Sequence, residues 1–543
     1  MKLSLLVLLG FCLILLFPAG VQSQEDTLTI LHLSDTHSHL VPFGPKDEVG
    51  NGTIGGIARA ASVVRSIKQS TSNVLTLHAG DFFQGDMMFN VYLGVPELQI
   101  LAGLGFDAMA VGNHEFDLSP STLQEVLARA FADSGFPLLS ANLVLDDYPS
   151  LNRYISPFIV KQVGESSVGL FGMTSPTANL YSSPAPVFVD TNLVQIAAAA
   201  VDSLRARNTD LIIMLSHLGV SLERLIASSI PGIDIVISGH DHVAFEQPVA
   251  IRNPAGTTWH VAAGDFYRYL GKLTVKIGTD GLSIIDYQLI PIDSIVPEEP
   301  MTAAFIDSLV AGIEARFGPF YSEPIAYAET DIGEIPNPVE ENKDTPLGNL
   351  ITDAYRRVTN TQIALTVGGF ISEKIHQGAV TQADIFRSVS YGYDPETTFG
   401  SKLVTFELTG PELIKGLEFG VSSIEEDDEL LVQASGMSYA YDRTKPSFGG
   451  RIDPRSILIG GQPVDPAATY TVTSTDEIAG LLDLVGVTRM NLRILEMHEF
   501  TAVKNYVVQL DTVRYVSEGR IVDLSVATGR EKERAVPESY EPH

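Results

Sequence analysis

The 543-residue sequence predicts an α/β protein with two domains. Between residues 27 and 291, short apolar runs alternate with amphipathic stretches, a pattern typical of strands connected by helices. The segment Pro297-Glu298-Glu299-Pro300 then interrupts this alternation, and a second region begins near Ala326. Proline-bounded breaks are common at domain boundaries, so we expect one domain on each side.

The first region contains five apolar runs that are bounded by Gly or Asp and predict buried strands. They cover residues 28–33, 74–79, 108–111, 211–215 and 235–238. One-sided apolar patterns predict helices over residues 57–68, 121–131 and 194–205. After the break, an apolar residue recurs every four positions, at Phe305, Leu309, Ile313 and Phe317. This recurrence predicts a connecting helix that ends at Gly318-Pro319.

A short polar motif follows each of the five predicted strands. The motifs are Asp35-Thr36-His37, Gly80-Asp81, Gly112-Asn113-His114-Glu115, Ser216-His217-Leu218-Gly219 and Gly239-His240-Asp241-His242. Because ligands of open α/β sheets lie outside the carboxyl ends of the strands, we expect two Asp, one Asn and four His side chains at one edge. The glycines allow the backbone to turn sharply there.

These side chains are ligands of divalent metals. Imidazole, carboxylate and amide oxygen suit Zn, Mn, Fe or Co, and the carboxylate of Asp81 is placed to bridge two ions. Two ions about 3.5–4 Å apart can hold a hydroxide and clamp the attacking and leaving oxygens of a phosphoryl displacement. The sequence therefore predicts a site for two divalent metal ions.

The ordered set of motifs resembles the calcineurin-like metallophosphoesterase superfamily, and more closely the secreted, two-domain 5'-nucleotidase family. The resemblance implies an N-terminal metallophosphoesterase α/β sandwich and a C-terminal 5'-nucleotidase-type α/β domain. It implies that one metal is held by Asp35, His37 and His242 and the other by Asn113, His217 and His240, with Asp81 between them. It further implies that His114 acts on the phosphate oxygens and that Asp117 orients its ring. Four further histidines match no family ligand and are interpreted as packing or surface residues: His32, His39, His78 and His260.

The second region resembles the C-terminal domain of the same family, for example in Thr345-Pro346-Leu347-Gly348-Asn349, but departs from it at the substrate loops. Nucleotide-cleaving members carry an Asn-Gly-Gly-Gly-Ile-Arg loop whose Arg binds phosphate. Here Val367 stands in place of the Asn and Ser372 in place of the Arg. Those members also hold the base between two rings, and residues 475–480 supply no aromatic for the second ring.

The resemblance therefore implies a substrate site with weaker nucleotide recognition or another organic leaving group. Its implied residues are Gly368, Gly369, Phe370, Tyr391 and Phe399. An alternative is that another basic residue replaces the missing Arg, namely Lys343, Arg356 or Arg387.

The N-terminus has the features of a signal peptide. Lys2 precedes an apolar stretch over residues 3–17, and Val21-Gln22-Ser23 is a plausible cleavage site. A retained anchor is the alternative, although the stretch is short of a full membrane span. The only cysteine, Cys12, lies in this segment, so the mature chain has no disulfide. We expect an exported protein, periplasmic or extracellular, with no stable membrane anchor.

The predicted organisation has five parts. They are a signal peptide (1–23), a catalytic domain (24–296), a connector helix (297–325), a C-terminal substrate domain (326–528) and a polar tail (529–543). The balance of 66 acidic against 35 basic residues disfavours nucleic-acid polymers and anionic membranes as partners. It does not disfavour a small phosphoester, because two bound cations dominate the local field.

The predicted function is an exported dinuclear-metal hydrolase, 5'-nucleotidase-like, that cleaves nucleotides or related phosphomonoesters by attack of a metal-bound hydroxide. Two alternatives remain open. One is a thiosulfohydrolase, since such enzymes resemble the same two-domain family. The other is a metal-stabilised binding protein without catalysis, against which the complete ligand set and the His114–Asp117 spacing count.

Overall fold

The computed structural model describes residues 26–278, 281–333, 343–425 and 428–527. The predicted signal peptide and polar tail lie outside the described residues. The strands before the connector are β1 (Asp26–Leu33), β2 (Phe43–Lys46), β3 (Gly52–Ile54), β4 (Val74–His78), β5 (Ala108–Ala110), β6 (Leu138–Leu139), β7 (Leu143–Val144), β8 (Ile155–Ser156), β9 (Phe158–Val163), β10 (Ser166–Thr174), β11 (Phe188–Val189), β12 (Leu211–His217), β13 (Ile235–Ser238), β14 (Val249–Asn253), β15 (Gly256–Ala262), β16 (Tyr269–Gly278) and β17 (Gly281–Pro291). The helices are α1 (Ile57–Ser70), α2 (Met87–Tyr92), α3 (Val95–Gly103), α4 (Pro120–Ala130), α5 (Ala178–Tyr181), α6 (Leu193–Arg205) and α7 (Val220–Ser229).

Two sheets pack face to face in this N-terminal domain. One has seven strands in the order β17-β16-β1-β4-β5-β6-β8, and the other has six in the order β14-β15-β13-β12-β10-β9. Buried aliphatic side chains from both sheets, such as Ile30 and Leu77 together with Ile213 and Ile237, form one layer between them. Helices cover the outer faces, and α6 and α7 pack on the six-stranded sheet. The predicted α/β sandwich is confirmed.

All five predicted strands and the three predicted helices are present, with boundaries within two residues of prediction. The expectation that the ligands meet at one edge of one sheet is wrong. β1, β4 and β5 belong to the seven-stranded sheet, whereas β12 and β13 belong to the other. The two sheets bring their carboxyl ends together at the same end of the sandwich, and the motifs converge between them.

The predicted connecting helix is α8 (Pro300–Phe317), which Glu299 caps by accepting a hydrogen bond from the Thr302 backbone N–H. The strands after it are β18 (Pro324–Ala328), β19 (Ile363–Val367), β20 (Gly378–Thr381), β21 (Lys402–Thr409), β22 (Val432–Ser435), β23 (Met437–Tyr441), β24 (Leu458–Ile459), β25 (Gln462–Pro463), β26 (Thr469–Thr475), β27 (Met490–His498), β28 (Thr512–Val513) and β29 (Ile521–Asp523). The helices are α9 (Pro346–Thr359), α10 (Gln382–Ser388), α11 (Gly410–Gly420), α12 (Asp476–Leu484) and α13 (Glu499–Leu510). A five-stranded sheet, ordered β22-β19-β26-β21-β27, forms the centre of this second domain.

Buried polar contacts join the two domains. The carboxylate of Asp86, at the start of α2, accepts a hydrogen bond of 2.6 Å from Nε of Arg387 in α10, and both side chains are 1% exposed. Nδ2 of Asn90 donates to the backbone oxygen of Thr398 over 2.8 Å. Within the described ranges, no helix combines the length and apolarity that crossing a membrane requires.

Candidate metal centre

The first group of candidate ligands comprises Asp35, His37 and His242, whose ligand atoms lie within 4.8 Å of one another. The Nε2 atoms of His37 and His242 are 3.2 Å apart, and Oδ1 of Asp35 is 3.8 Å from Nε2 of His242. Nδ1–H of His37 donates to the backbone oxygen of Phe83 over 2.7 Å. This hydrogen bond fixes the tautomer, so Nε2 presents its lone pair to the site.

The second group comprises Asp81, His217 and His240. Nε2 of His217 lies 2.8 Å from Oδ2 of Asp81, and Nδ1–H of His217 donates to the backbone oxygen of Ala79 over 2.8 Å. Asp81 also lies 3.9 Å from Nε2 of His37, so its carboxylate stands between the two groups. Asn113 lies close to this carboxylate, because the backbone N–H of the next residue, His114, donates to Oδ1 of Asp81 over 3.1 Å.

The chemistry of this cluster fits divalent cations. Oδ2 of Asp35 and Oδ1 of Asn113 are buried without a hydrogen-bond partner among the described residues. Burial raises the pKa of Asp35 to about 6, although His242 and His217 oppose the shift. Burial lowers the pKa of His217, but the Asp81 carboxylate outweighs it and raises this pKa to about 10. The carboxylates thus attract positive charge into a desolvated site, and two metal ions would supply it.

Glycine is required where the motifs approach one another. A Cβ on Gly112 would collide with the carboxylate of Asp81, and one on Gly239 would stand 2.8 Å from both the Ala79 oxygen and Nδ1 of His217. The absence of a side chain at these two positions therefore allows the ligand loops to pack closely against one another.

His114 and Asp117 form a pair beside both ligand groups. Nδ1–H of His114 donates to Oδ2 of Asp117 over 2.7 Å, and the side-chain amide of Gln84 donates to the same oxygen over 3.0 Å. The His114 ring is centred 5.3 Å from the ring of His37. Burial lowers the pKa of His114, but Asp117 and Asp81 outweigh this effect and raise it to about 10. The pair can therefore hold a cationic, oriented imidazole next to the candidate ligands.

Comparison with known proteins agrees with this geometry. Residues 28–244 match the family described as Calcineurin-like phosphoesterase, and residues 324–483 match 5'-nucleotidase, C-terminal domain. The crystal structure of a 5'-nucleotidase precursor from Thermus thermophilus is 30% identical, covering 92% of this chain and 100% of that chain, with a TM-score of 0.80. The chain belongs to the 5'-nucleotidase family of calcineurin-like phosphoesterases. It is a phosphoester hydrolase whose site takes two divalent metal ions.

Two further proteins are similar to this chain in sequence or in fold. The 5'-nucleotidase of Bos taurus is 27% identical over 461 residues, which cover 79% of this chain and 77% of that protein. The sulfate thiohydrolase SoxB of Thermus thermophilus is 19% identical with a TM-score of 0.76, covering 92% of this chain and 97% of that chain. At that identity the second likeness shows a shared fold alone.

Several supporting residues in this member of the family were not predicted. Asp265 lies 3.4 Å from Nδ1 of His242 and orients that ring. Glu115 accepts hydrogen bonds from the backbone N–H groups of Asp81, Phe82 and Gly112, and so ties two ligand loops together. Glu115 belongs to the predicted motif Gly112-Asn113-His114-Glu115, so the sequence pointed to its position. The loop that carries Asp265 contains none of the predicted motifs.

A buried network lies beneath the Asp35–His37 loop. The Gly80 backbone N–H donates to Nδ1 of His78 over 3.1 Å, and Nε2–H of His78 therefore donates to Oγ1 of Thr36 over 3.0 Å. Ser38 and Tyr267 donate to the carboxylate of Glu97, which is fully buried. Desolvation by burial raises the pKa of Glu97 to about 7. His78 and Glu97 thus support the loops that carry the ligands.

The four non-ligand histidines are all buried, so packing is the correct interpretation and surface exposure is wrong. His39 stacks on Phe266 with ring centroids 4.0 Å apart. Nε2 of His260 lies 2.8 Å from the carboxylate of Glu223. These four histidines lie in or near buried strands. The local sequence around a single histidine in a buried strand does not show whether it packs in the core or binds a metal.

The implied substrate residues divide into two sets. Tyr391 stacks on His114 with ring centroids 5.2 Å apart, and Gly368, Gly369 and Phe370 form the turn after β19, with Phe370 beside Tyr391. Phe399 instead packs among hydrophobic side chains, 5.2 Å from the ring of Phe500 and 5.4 Å from that of Phe317. Arg387 does not replace the missing phosphate Arg, because it is buried in its ion pair with Asp86.

Proposed function

We propose that this protein is an exported phosphomonoesterase of the 5'-nucleotidase kind that hydrolyses nucleotides or related phosphomonoesters. The observation that carries the proposal is the position of His114. Its ring lies beside His37 of one ligand group, and its backbone N–H donates to Asp81 of the other. A phosphate held at the two groups would therefore meet the imidazole directly.

We propose the ligand assignment Asp35, His37 and His242 for one ion and Asn113, His217 and His240 for the other, with Asp81 shared. When bound, the two ions supply Lewis acidity to the phosphate and to the attacking water. Hydrogen bonds from His37 to Phe83 and from His217 to Ala79 hold both rings in the orientation for binding. Asp81 brings negative charge to the point where the two groups meet.

The role proposed for His114 is electrostatic. Nδ1–H is engaged by Asp117, so the cationic ring directs Nε2–H toward the cleft and can donate it to a phosphate oxygen. Negative charge grows on the transferred group in the transition state, and a preorganised donor stabilises it there more than in the ground state. Asp117 keeps the ring from rotating and favours its protonated form.

Export is proposed from the N-terminal sequence, where Lys2 precedes an apolar stretch and a small-residue cleavage site. The chemistry of the ligands requires no reducing compartment, because none of them is a cysteine. Expression of the full chain, followed by cell fractionation and N-terminal sequencing, should place the mature enzyme outside the cytoplasm with a start near Gln24. Retention of Met1 in the cytoplasm would reject export and leave the proposed chemistry intact.

Assays on the purified enzyme test the proposed phosphomonoester hydrolysis. We expect release of nitrophenol from p-nitrophenyl phosphate after loading with Mn, Co, Zn or Fe, and loss of that activity on chelation. Sulfate release from an S-sulfonated thiol, measured in parallel, tests the thiohydrolase alternative that shares the fold. Sulfate release without phosphate release would reject the proposal, and neither activity at full metal occupancy would favour the binding-protein alternative.

A further inference from the structure

Gln84 lies in the loop between β4 and α2, just after the candidate ligand Asp81. The residue is 2% exposed. Its Nε2–H donates to Oδ2 of Asp117 over 3.0 Å, and the same oxygen accepts a hydrogen bond of 2.7 Å from Nδ1–H of His114. One carboxylate oxygen therefore joins the amide of Gln84 to the imidazole of His114.

The chemistry of the carboxylate determines which end of this amide faces it. An ionised carboxylate only accepts hydrogen bonds, so the NH2 group of Gln84, and not its oxygen, must point at Asp117. The second carboxylate oxygen, Oδ1 of Asp117, is buried and has no hydrogen-bond partner among the described residues. Within this part of the chain, Gln84 is therefore the one donor besides His114 that holds the Asp117 carboxylate.

The backbone around Gln84 is fixed on both sides. At Gln84 itself φ is 69°, a left-handed conformation that is unfavourable for a residue with a side chain. The preceding backbone oxygen, that of Phe83, accepts the hydrogen bond from Nδ1–H of His37. On the other side, a Cβ on Gly85 would collide with the backbone oxygen of His37. The amide is thus carried by a loop that packs directly against a candidate ligand.

Burial of this amide is unfavourable for stability. Oε1 of Gln84 is buried and has no hydrogen-bond partner among the residues that the structure describes. An unpartnered buried oxygen costs free energy that an apolar side chain of similar size would not. Stability alone would therefore favour an apolar residue at this position, and the hydrogen bond to Asp117 is what the amide adds.

We propose that Gln84 is a positioning residue for the hydrolysis, because its amide holds the Asp117 carboxylate in the orientation that aims the His114 imidazole at phosphate. The inference rests on the role proposed for His114. Without the amide, the carboxylate can rotate about its Cβ–Cγ bond, and the imidazole spends less time with Nε2–H directed at a phosphate oxygen. The loss falls on the transition state, so kcat decreases while substrate binding is retained.

Gln84→Met removes the donor and keeps the approximate volume of the side chain. With the metal-loaded enzyme and p-nitrophenyl phosphate we expect kcat to fall by about tenfold, with KM and metal content unchanged and Tm no lower than that of the unmodified enzyme. Gln288→Met is the matched control, because the amide of Gln288 donates to the carboxylate of Asp286 over 2.8 Å at the exposed surface of β17. An unchanged kcat in Gln84→Met, or a loss of bound metal, would overturn the inference.

Gln84→Asn is a second variant that should preserve the loop. Asn adopts a positive φ more readily than most residues, but its amide is one methylene group short of Asp117. We expect kcat to fall as in Gln84→Met. Full kcat in Gln84→Asn would overturn the inference, because the shorter amide cannot hold the carboxylate.

The His114→Ala background separates positioning of the imidazole from any other effect of Gln84. Since the imidazole is absent there, adding Gln84→Met should change kcat by less than about twofold. A further tenfold loss in this background would overturn the inference, because Gln84 would then act independently of His114. If the unmodified enzyme does not hydrolyse p-nitrophenyl phosphate, or if His114→Ala alone retains full kcat, the proposed function fails instead.

Discussion

Five of the seven candidate ligands have a left-handed backbone: φ is 49° at Asp35, 44° at His37, 58° at Asp81, 85° at His240 and 56° at His242. Such conformations cost on the order of 1–3 kcal/mol each for residues other than glycine. They occur in the loops that follow the strands, where the two ligand groups come together. The cost is consistent with a site in which bound cations are part of the stable state.

Asp81→Asn should abolish nearly all hydrolysis while leaving the protein folded, because an amide cannot provide the negative charge that the two ligand groups share. Metal content by mass spectrometry and kcat with p-nitrophenyl phosphate measure the effect. Asp202→Asn is a control, since Asp202 lies exposed on α6. Full activity of Asp81→Asn at wild-type metal content would reject the proposed bridge.

His114→Ala should lower kcat by about 10²–10⁴ without changing metal content, because the ring acts on the transition state and not on the ions. Asp117→Asn should have a smaller effect of the same kind, since it only orients and charges the ring. Loss of an ion from His114→Ala would mean that a ligand has been misassigned as a catalytic residue.

Glu97 should make stability depend on pH. Burial raises its pKa from 4.5 in the unfolded chain to about 7, so the folded state binds more protons between these values. Stability then decreases as pH rises through this window, by up to about 3 kcal/mol. Glu97→Gln should remove this part of the dependence. Thermal unfolding at pH 5 and pH 8 measures it, and an equal decrease in the variant would show that Glu97 is not the cause.

At the scale of elements, a buried ion pair joins α2 to α10. Asp86 caps α2 by accepting a hydrogen bond from the Met88 backbone N–H over 2.9 Å, and it also holds Arg387 of α10. Tyr321 donates to the same carboxylate. The pair therefore couples the start of one helix to the position of the second domain.

Arg387→Met should destabilise the protein by about 3–5 kcal/mol, because the Asp86 carboxylate would remain buried without its cationic partner. The double variant Asp86→Asn, Arg387→Met should be less destabilised, since Asn keeps the cap without a charge. Denaturant unfolding of the two variants makes the comparison. If the double variant is less stable than Arg387→Met, the unpaired charge of Asp86 is not the cause of the destabilisation.

At the scale of the whole molecule, we expect the second domain to determine specificity. The absence of Arg at position 372 should weaken phosphate binding by about 1.5–3 kcal/mol, and the absence of a second stacking ring should cost a further ~1–3 kcal/mol for a nucleobase. AMP should therefore not be strongly preferred over p-nitrophenyl phosphate. A ratio of kcat/KM above about a hundredfold, roughly 2.7 kcal/mol, would contradict this.

The local sequence determined the α/β class, the five strands and the residues that follow them. Apolar runs ended by Gly or Asp are short-range signals, and they placed β13 at its observed bounds and β1, β4, β5 and β12 within two residues at each end. The connector helix followed from a four-residue apolar recurrence. These features depend on neighbours along the chain, which a sequence displays directly.

Only the tertiary structure decided how those strands combine. That the ligands come from two sheets, that Asp265 orients His242 and that Glu97 supports Thr36 and Ser38 all depend on residues far apart in the chain. The same holds for Phe399, whose ring packs against Phe317 and Phe500, and for Tyr391, whose ring reaches His114 of the other domain. Contacts of this kind arise from packing between distant segments, and no local pattern records which segments meet.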